Sequence, residues 1–207
     1  MSNDRHPQSI PTTTAIPPEM TTAFTDTATA RPGPPRASVR DDAVVASIDA
    51  LLDQVGADPA GFRGRLLREM IQNTLRLHAD AADSGEIKLL SRSFRELRYA
   101  MKVFRPYRAV RKASVFGSAR TPENHPHYTA AVDFSRELSA AGWMVITGAG
   151  GGIMQAGHGG AGREASFGVA IRLPFETNAN DIIVGDPKLV TFRYFFTRKL
   201  MFVGQSH

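Results

Sequence analysis

Between residues 113 and 203 the chain repeats one rhythm: a short apolar run, a glycine-bearing turn, then a helical pattern. Repeated units of this kind imply a parallel sheet joined by right-handed crossovers. Ala113–Phe116 reads as a first strand that ends in Gly117-Ser118. Residues 125–141 read as a helix with Tyr128, Val132, Ser135 and Leu138 inward, and Trp143–Thr147 as a second buried strand. That strand runs into Gly148-Ala149-Gly150-Gly151-Gly152, followed by a helix over Ile153–Glu164 and a third strand over Phe167–Leu173. After Pro174 the signal weakens: Asn178–Lys188 reads as loop or a short helical turn, Leu189–Phe195 as extended, Phe196–Val203 as helical. The expected fold class is α/β, with a Rossmann-like parallel sheet over residues 111–207.

The segment ahead of this core differs in kind. Residues 1–37 carry Pro7, Pro11, Pro17, Pro18, Pro32, Pro34 and Pro35 among threonines, with few apolar residues and no periodicity. Such a stretch cannot bury enough surface to offset the ordering entropy of its backbone, so a disordered tail is expected. Residues 38–110 read as three helices. Asp41 or Ser38 can cap the first, in which Val44, Val45, Ile48, Leu51, Leu52 and Val55 recur at helical spacing until Gly56. The second begins near Pro59 and presents Phe62, Leu66, Met70, Ile71, Leu75 and His78. The third runs from Glu86 to about Phe104, with Ile87, Leu90, Phe94, Leu97, Met101 and Phe104 on one stripe, and Pro106 bars its continuation.

The bulk composition narrows the function classes. No apolar run approaches the ~20 residues of a membrane span, and no signal-type leader is read, so a cytoplasmic protein with no membrane role is expected. The absence of cysteine excludes a thiolate nucleophile or thiolate metal site, and neither metal nor cofactor is expected. Net charge is +5, which permits an anionic ligand. Arg92, Arg95, Arg98, Lys102 and Arg105 lie on the polar face of the third helix, followed by Arg108, Arg111 and Lys112. A nucleic-acid grip would use such a face, but no nucleic-acid motif accompanies it, and a solvated face is the preferred reading.

The chemistry concentrates in the turns. Gly148, Gly150, Gly151 and Gly152 stand where a strand hands over to a helix, where backbone amides and the helix dipole attract an anion. The spacing fails the dinucleotide fingerprint, because the third glycine position is Ile153, and no Walker lysine is present. Tight strand–helix packing explains glycines equally well. Gly117 and Ser118 on the adjacent strand end favour a ligand, since both turns emerge at the carboxyl edge of one sheet. Ser118 either donates to a ligand or closes its own turn. His158, within a helix of small residues, reads as structural rather than catalytic, and Arg172, Glu176 and His207 receive no role.

Four segments in order, Val115–Ser118, Thr147–Met154, Ser166–Pro174 and Phe195–Phe202, carry a family resemblance. Together they resemble the Lonely Guy family of nucleoside 5′-monophosphate phosphoribohydrolases, the lysine-decarboxylase-like proteins, in its long bacterial form. The resemblance spans residues 113–207, and the helices ahead of it agree in kind. It implies hydrolysis of the N-glycosidic bond of a nucleoside 5′-monophosphate to free base and ribose 5-phosphate. It assigns a catalytic role to Arg198 and makes Lys199 a weaker binding candidate. It also implies a homo-oligomer. In the family a strand and a Pro-Gly-Gly-x-Gly-Thr-x-x-Glu turn, bearing the catalytic glutamate, follow the Arg-Lys helix; this chain has no such turn. The expectation is therefore the N-terminal half of the nucleotide-binding domain, an inactive or partial version in which the first strand lies at a sheet edge.

Overall fold

The computed structural model describes residues 38–173 and 179–207. The expected tail, residues 1–37, and Glu176 lie outside the described residues. The chain divides into two units, one up to Gln72 and one from Asn73.

In the first unit α1 spans Asp42–Gln54 and α2 begins at Phe62, continuing to Ala79 in the second. Asp41 stands at the α1 cap position, but its carboxylate accepts the Ser38 amide instead of a helix amide. The Pro59 start expected for α2 is displaced because Asp58 closes a turn ahead of it, accepting the Ala60 and Gly61 amides. Gly64 seats α2 on that turn: a Cβ there would lie 1.9 Å from the Asp58 carbonyl oxygen. Arg68 then pairs with Asp49 across the two helices at 2.5 Å.

The second unit opens with α3, Ser84–Phe104, and a single 3-10 turn over Arg105–Tyr107. A capping box starts α3: the Asp83 carboxylate accepts the Glu86 amide, and the Glu86 carboxylate accepts the Asp83 amide. Four strands follow, β1 (Lys112–Val115), β2 (Met144–Thr147), β3 (Ser166–Ile171) and β4 (Leu189–Phe192), all parallel in the order β1-β2-β3-β4. Helices α4 (Pro126–Ala140) and α5 (Ile153–Ala161) cross between the first three strands, and α6 (Phe195–Gln205) follows β4. This is the expected Rossmann-like α/β sheet, with β1 at an edge.

Alternation along the strands builds a core on each face. Met144, Ile146, Phe167, Val169, Val190 and Phe192 point to α3 and α6, where Ala100, Phe104, Met201 and Phe202 meet them. Phe104 stacks on Phe167 with ring centroids 4.1 Å apart, and Tyr107 meets the same ring edge-on. Val115 and Val145 face the other way, toward Leu138, Ile153 and Ala161. Coverage on both faces is what makes the strands read as continuous apolar runs.

Two boundaries and one face depart from expectation. α5 stops at Ala161 rather than Glu164, because Gly162 takes φ +78° and returns its amide to the His158 carbonyl. β3 ends at Ile171, short of Leu173. On α3 the buried side is rotated from the expected stripe. Phe104 and Leu97 pack inward, but Ile87, Leu90, Phe94 and Met101 stay substantially exposed while Ser93 and Ala100 are buried. The cause is polar: Glu96 on the inner side accepts the Arg193 amide and the Thr197 hydroxyl, tying α3 to the start of α6.

Candidate functional site

The register aligns Val115 with Thr147 and Thr147 with Gly168, so β1 and β2 end level and their turns meet. The Ile153 amide donates to the Ser118 carbonyl at 3.1 Å. A Cβ on Gly152, itself at φ +57°, would fall 2.3 Å from that same oxygen, and one on Gly117 would fall 2.5 Å from the Ile153 Cβ. Gly117 and Gly152 are thus required by the contact between turns. Ser118 closes its own turn, its hydroxyl accepting the Arg120 amide at 3.1 Å. Gly151 lies beside the Ala119 carbonyl, and Gly152 caps α5 with no side-chain partner for the first helix amides. Gly117, Ser118, Gly148, Gly150, Gly151 and Gly152 are therefore brought together.

Arg198 joins them from α6. Its Nε donates to the Val169 carbonyl at 2.7 Å, which turns the guanidinium over the sheet edge, 5.3 Å above the Phe202 ring. A Cβ on Gly148 would lie 2.5 Å from its Nη2 and 2.6 Å from the Met154 sulfur, so Gly148 leaves the space that the arginine fills. Burial lowers the Arg198 pKa from its ordinary value, yet a guanidinium remains charged at neutral pH. Among the described residues no carboxylate pairs with it.

Lys199, one position on, is exposed, and with Arg198, Phe116, Phe195, Phe202 and Val203 lines an apolar groove of about 670 Å³. The groove follows the open side of β1. There Ser206 meets Ser114 at 2.6 Å between hydroxyls, and the His207 amide donates to the Lys112 carbonyl at 3.0 Å. Arg198 lines this groove and also reaches the glycine turn, whereas Lys199 is placed only at the groove.

Beneath the glycine turn lies a buried polar network that the sequence did not reveal. Thr147 Oγ1 accepts the Ala149 amide at 3.0 Å and sits 2.9 Å from His158 Nε2. Asn180 donates its amide to the Ala149 carbonyl at 2.8 Å and its Nδ2 to the Gly150 carbonyl at 2.9 Å. Burial lowers the His158 pKa, against smaller upward contributions from the Phe167 carbonyl and Asn180, so the ring is neutral. The structural reading of His158 agrees with this placement. Asn180 carries no local sequence signature; only its distance in space to the turn reveals it.

Along α3, Arg95, Arg98 and Lys102 are exposed and make no ion pair among the described residues. No described helix is long and apolar enough to cross a membrane, and no described cluster of histidine and carboxylate side chains could hold a metal. Neither a protein-family model nor a curated protein sequence matches the chain.

Proposed function

We propose that residues 111–207 hold the phosphate of a nucleoside 5′-monophosphate between the glycine turn and Arg198. The chemistry of the site, once a carboxylate faces the ribose, is then hydrolysis of the N-glycosidic bond. The single observation carrying this reading is the approach of the Arg198 guanidinium to Gly148 at the carboxyl edge of the sheet. Its Nε is committed to Val169, which leaves the Nη groups to grip phosphate or ribose oxygens. The α5 amides supply the second half of an anion site. Cleavage develops positive charge on the sugar, which calls for a carboxylate against it. No described carboxylate pairs with Arg198, and in this reading these residues supply the binding half of the site. A homo-oligomer and a cytoplasmic location belong to the same proposal, the first favoured by the exposed apolar residues of α3.

Base release tests the chemistry. Residues 1–207 are expected to free no adenine from adenosine 5′-monophosphate above the Arg198→Ala background. A chimera carrying, after His207, the strand and Pro-Gly-Gly-x-Gly-Thr-x-x-Glu segment of a Lonely Guy enzyme is expected to cleave. Its activity should fall by ~10²-fold on Arg198→Ala, the scale for one electrostatic catalytic group. Arg198-dependent turnover by residues 1–207 would contradict the reading. So would a chimera that folds and binds nucleotide but cleaves nothing.

A further inference from the structure

The glycine turn adopts a conformation that its own sequence does not favour. Ala149 sits at φ +65°, in the left-handed region that residues with a Cβ rarely occupy. A turn held this way persists only when its surroundings determine it. Here they do so through three side chains from three elements: Thr147 at the end of β2, His158 inside α5, and Asn180 in the loop after β3. All three are buried.

The protons in this network follow from its acceptors. His158 Nε2 lies 3.1 Å from the Phe167 carbonyl, which can only accept, so the ring proton is on Nε2. Nδ1 then faces both amide atoms of Asn180, Nδ2 at 3.1 Å and Oδ1 at 3.2 Å, and in the neutral ring accepts from Nδ2. The same Nδ2 donates to the Gly150 carbonyl, which fixes the orientation of the Asn180 amide. His158 therefore orients Asn180, and Asn180 holds both the Ala149 and the Gly150 carbonyls. Those carbonyls point into the network, away from where an anion would approach the α5 amides. Rotation of either peptide would present an oxygen in place of an amide to that anion.

We infer that His158 and Asn180 are positioning residues for the anion site: they lock the peptides of the glycine turn so that amides, not carbonyls, face the ligand. This inference rests on the proposed nucleotide reading for its ligand, but the lock itself is a property of the turn. It also couples the loop after β3 to the turn after β2, two segments remote in sequence.

The test uses residues 1–207 with two substitutions. Asn180→Leu removes the Nδ2 donor at nearly the same size and adds no charge beside the anion site. His158→Gln keeps a donor toward Phe167 and withdraws the acceptor that orients Asn180. Amide exchange of residues 149–152 and affinities for adenosine 5′-monophosphate and adenosine are measured in each. The expected result is exchange about tenfold faster, confined to the turn, with weaker binding of the monophosphate by about tenfold and unchanged binding of adenosine. A packing role alone would weaken both ligands together. Where Asn180→Leu does not fold, His158→Gln carries the comparison. Unchanged exchange at residues 149–152 in a folded variant overturns the inference. If the unsubstituted chain binds monophosphate no better than adenosine, the nucleotide reading fails instead, and the exchange data still decide the lock.

Discussion

Asp186→Ala is expected to destabilise the second unit by about 3–5 kcal/mol, the cost of stripping the partner from a buried charge. Asp186 and Lys188 are both nearly excluded from solvent, at 5% and 6% side-chain exposure, and are paired at 2.9 Å. The carboxylate also accepts the Lys188 amide at 2.8 Å and Arg163 Nε at 3.0 Å. Burial by itself would raise the Asp186 pKa, but the amide and ammonium of Lys188, with Arg163, outweigh it and hold the group below its ordinary value. Alanine leaves the ammonium buried with no counter-charge at the point where the Lys188 carbonyl accepts the Gly168 amide and joins β4 to β3. Arg163 keeps the Ile182 and Val184 carbonyls, so it does not compensate. Chemical denaturation of the single variant and of Asp186→Ala/Lys188→Met checks this. The double variant should recover most of the loss, since an apolar replacement for a buried pair is often neutral. A single-variant loss below about 1 kcal/mol, the value of an exposed ion pair, would contradict it.

Neighbouring glycines in α5 should respond to alanine with opposite signs. At Gly160 a Cβ would lie 2.0 Å from the Val132 carbonyl oxygen, 2.8 Å from its carbon and 3.0 Å from the Arg136 nitrogen. All three are α4 backbone atoms, so no rotamer change relieves the clash and the helices must separate. Overpacking usually costs ~1–3 kcal/mol, and Gly160→Ala belongs at or above the top of that range. At exposed Gly159 the nearest atom is the Ile182 Cδ1 at 3.7 Å, an ordinary contact. Gly159→Ala should therefore stabilise, by up to about 1 kcal/mol from helix propensity. Paired melts of the two variants give the answer. Equal effects at both positions would show that α4 and α5 do not pack through Gly160.

The fold was legible where local chemistry and burial agree. Trp143–Thr147 and Phe167–Leu173 read as strands because both faces of the sheet are covered, and the runs end at glycines or proline. Tyr128, Val132, Ser135 and Leu138, spaced for one helix face, form the inner side of α4. Two boundary signals stand in the sequence itself: Asp83-x-x-Glu86, which starts α3, and Gly162, which ends α5. The inner face of α3 was not legible from hydrophobic spacing. Ile87, Leu90, Phe94 and Met101 fit a helical stripe, but the sheet side follows Glu96, whose value lies in accepting the Arg193 amide and the Thr197 hydroxyl at the start of α6, remote in sequence. The candidate site divides in the same way. Its glycines announce a close approach, whereas the partner that fills the space at Gly148 is Arg198, marked in the sequence only by resemblance. Asn180 had no signature at all, because its role depends on a loop that returns to the turn in space.

The central claim is that Arg198 and the glycine turn form one anion site. The direct measurement is calorimetric titration of residues 1–207, and of Arg198→Ala, with adenosine 5′-monophosphate and with adenosine. The account predicts that the unsubstituted chain prefers the monophosphate by about tenfold or more, the worth of one charge-assisted contact. It predicts that Arg198→Ala, still folded, binds the two equally. Equal binding of both ligands by the unsubstituted chain, or a phosphate preference that survives Arg198→Ala, would contradict it.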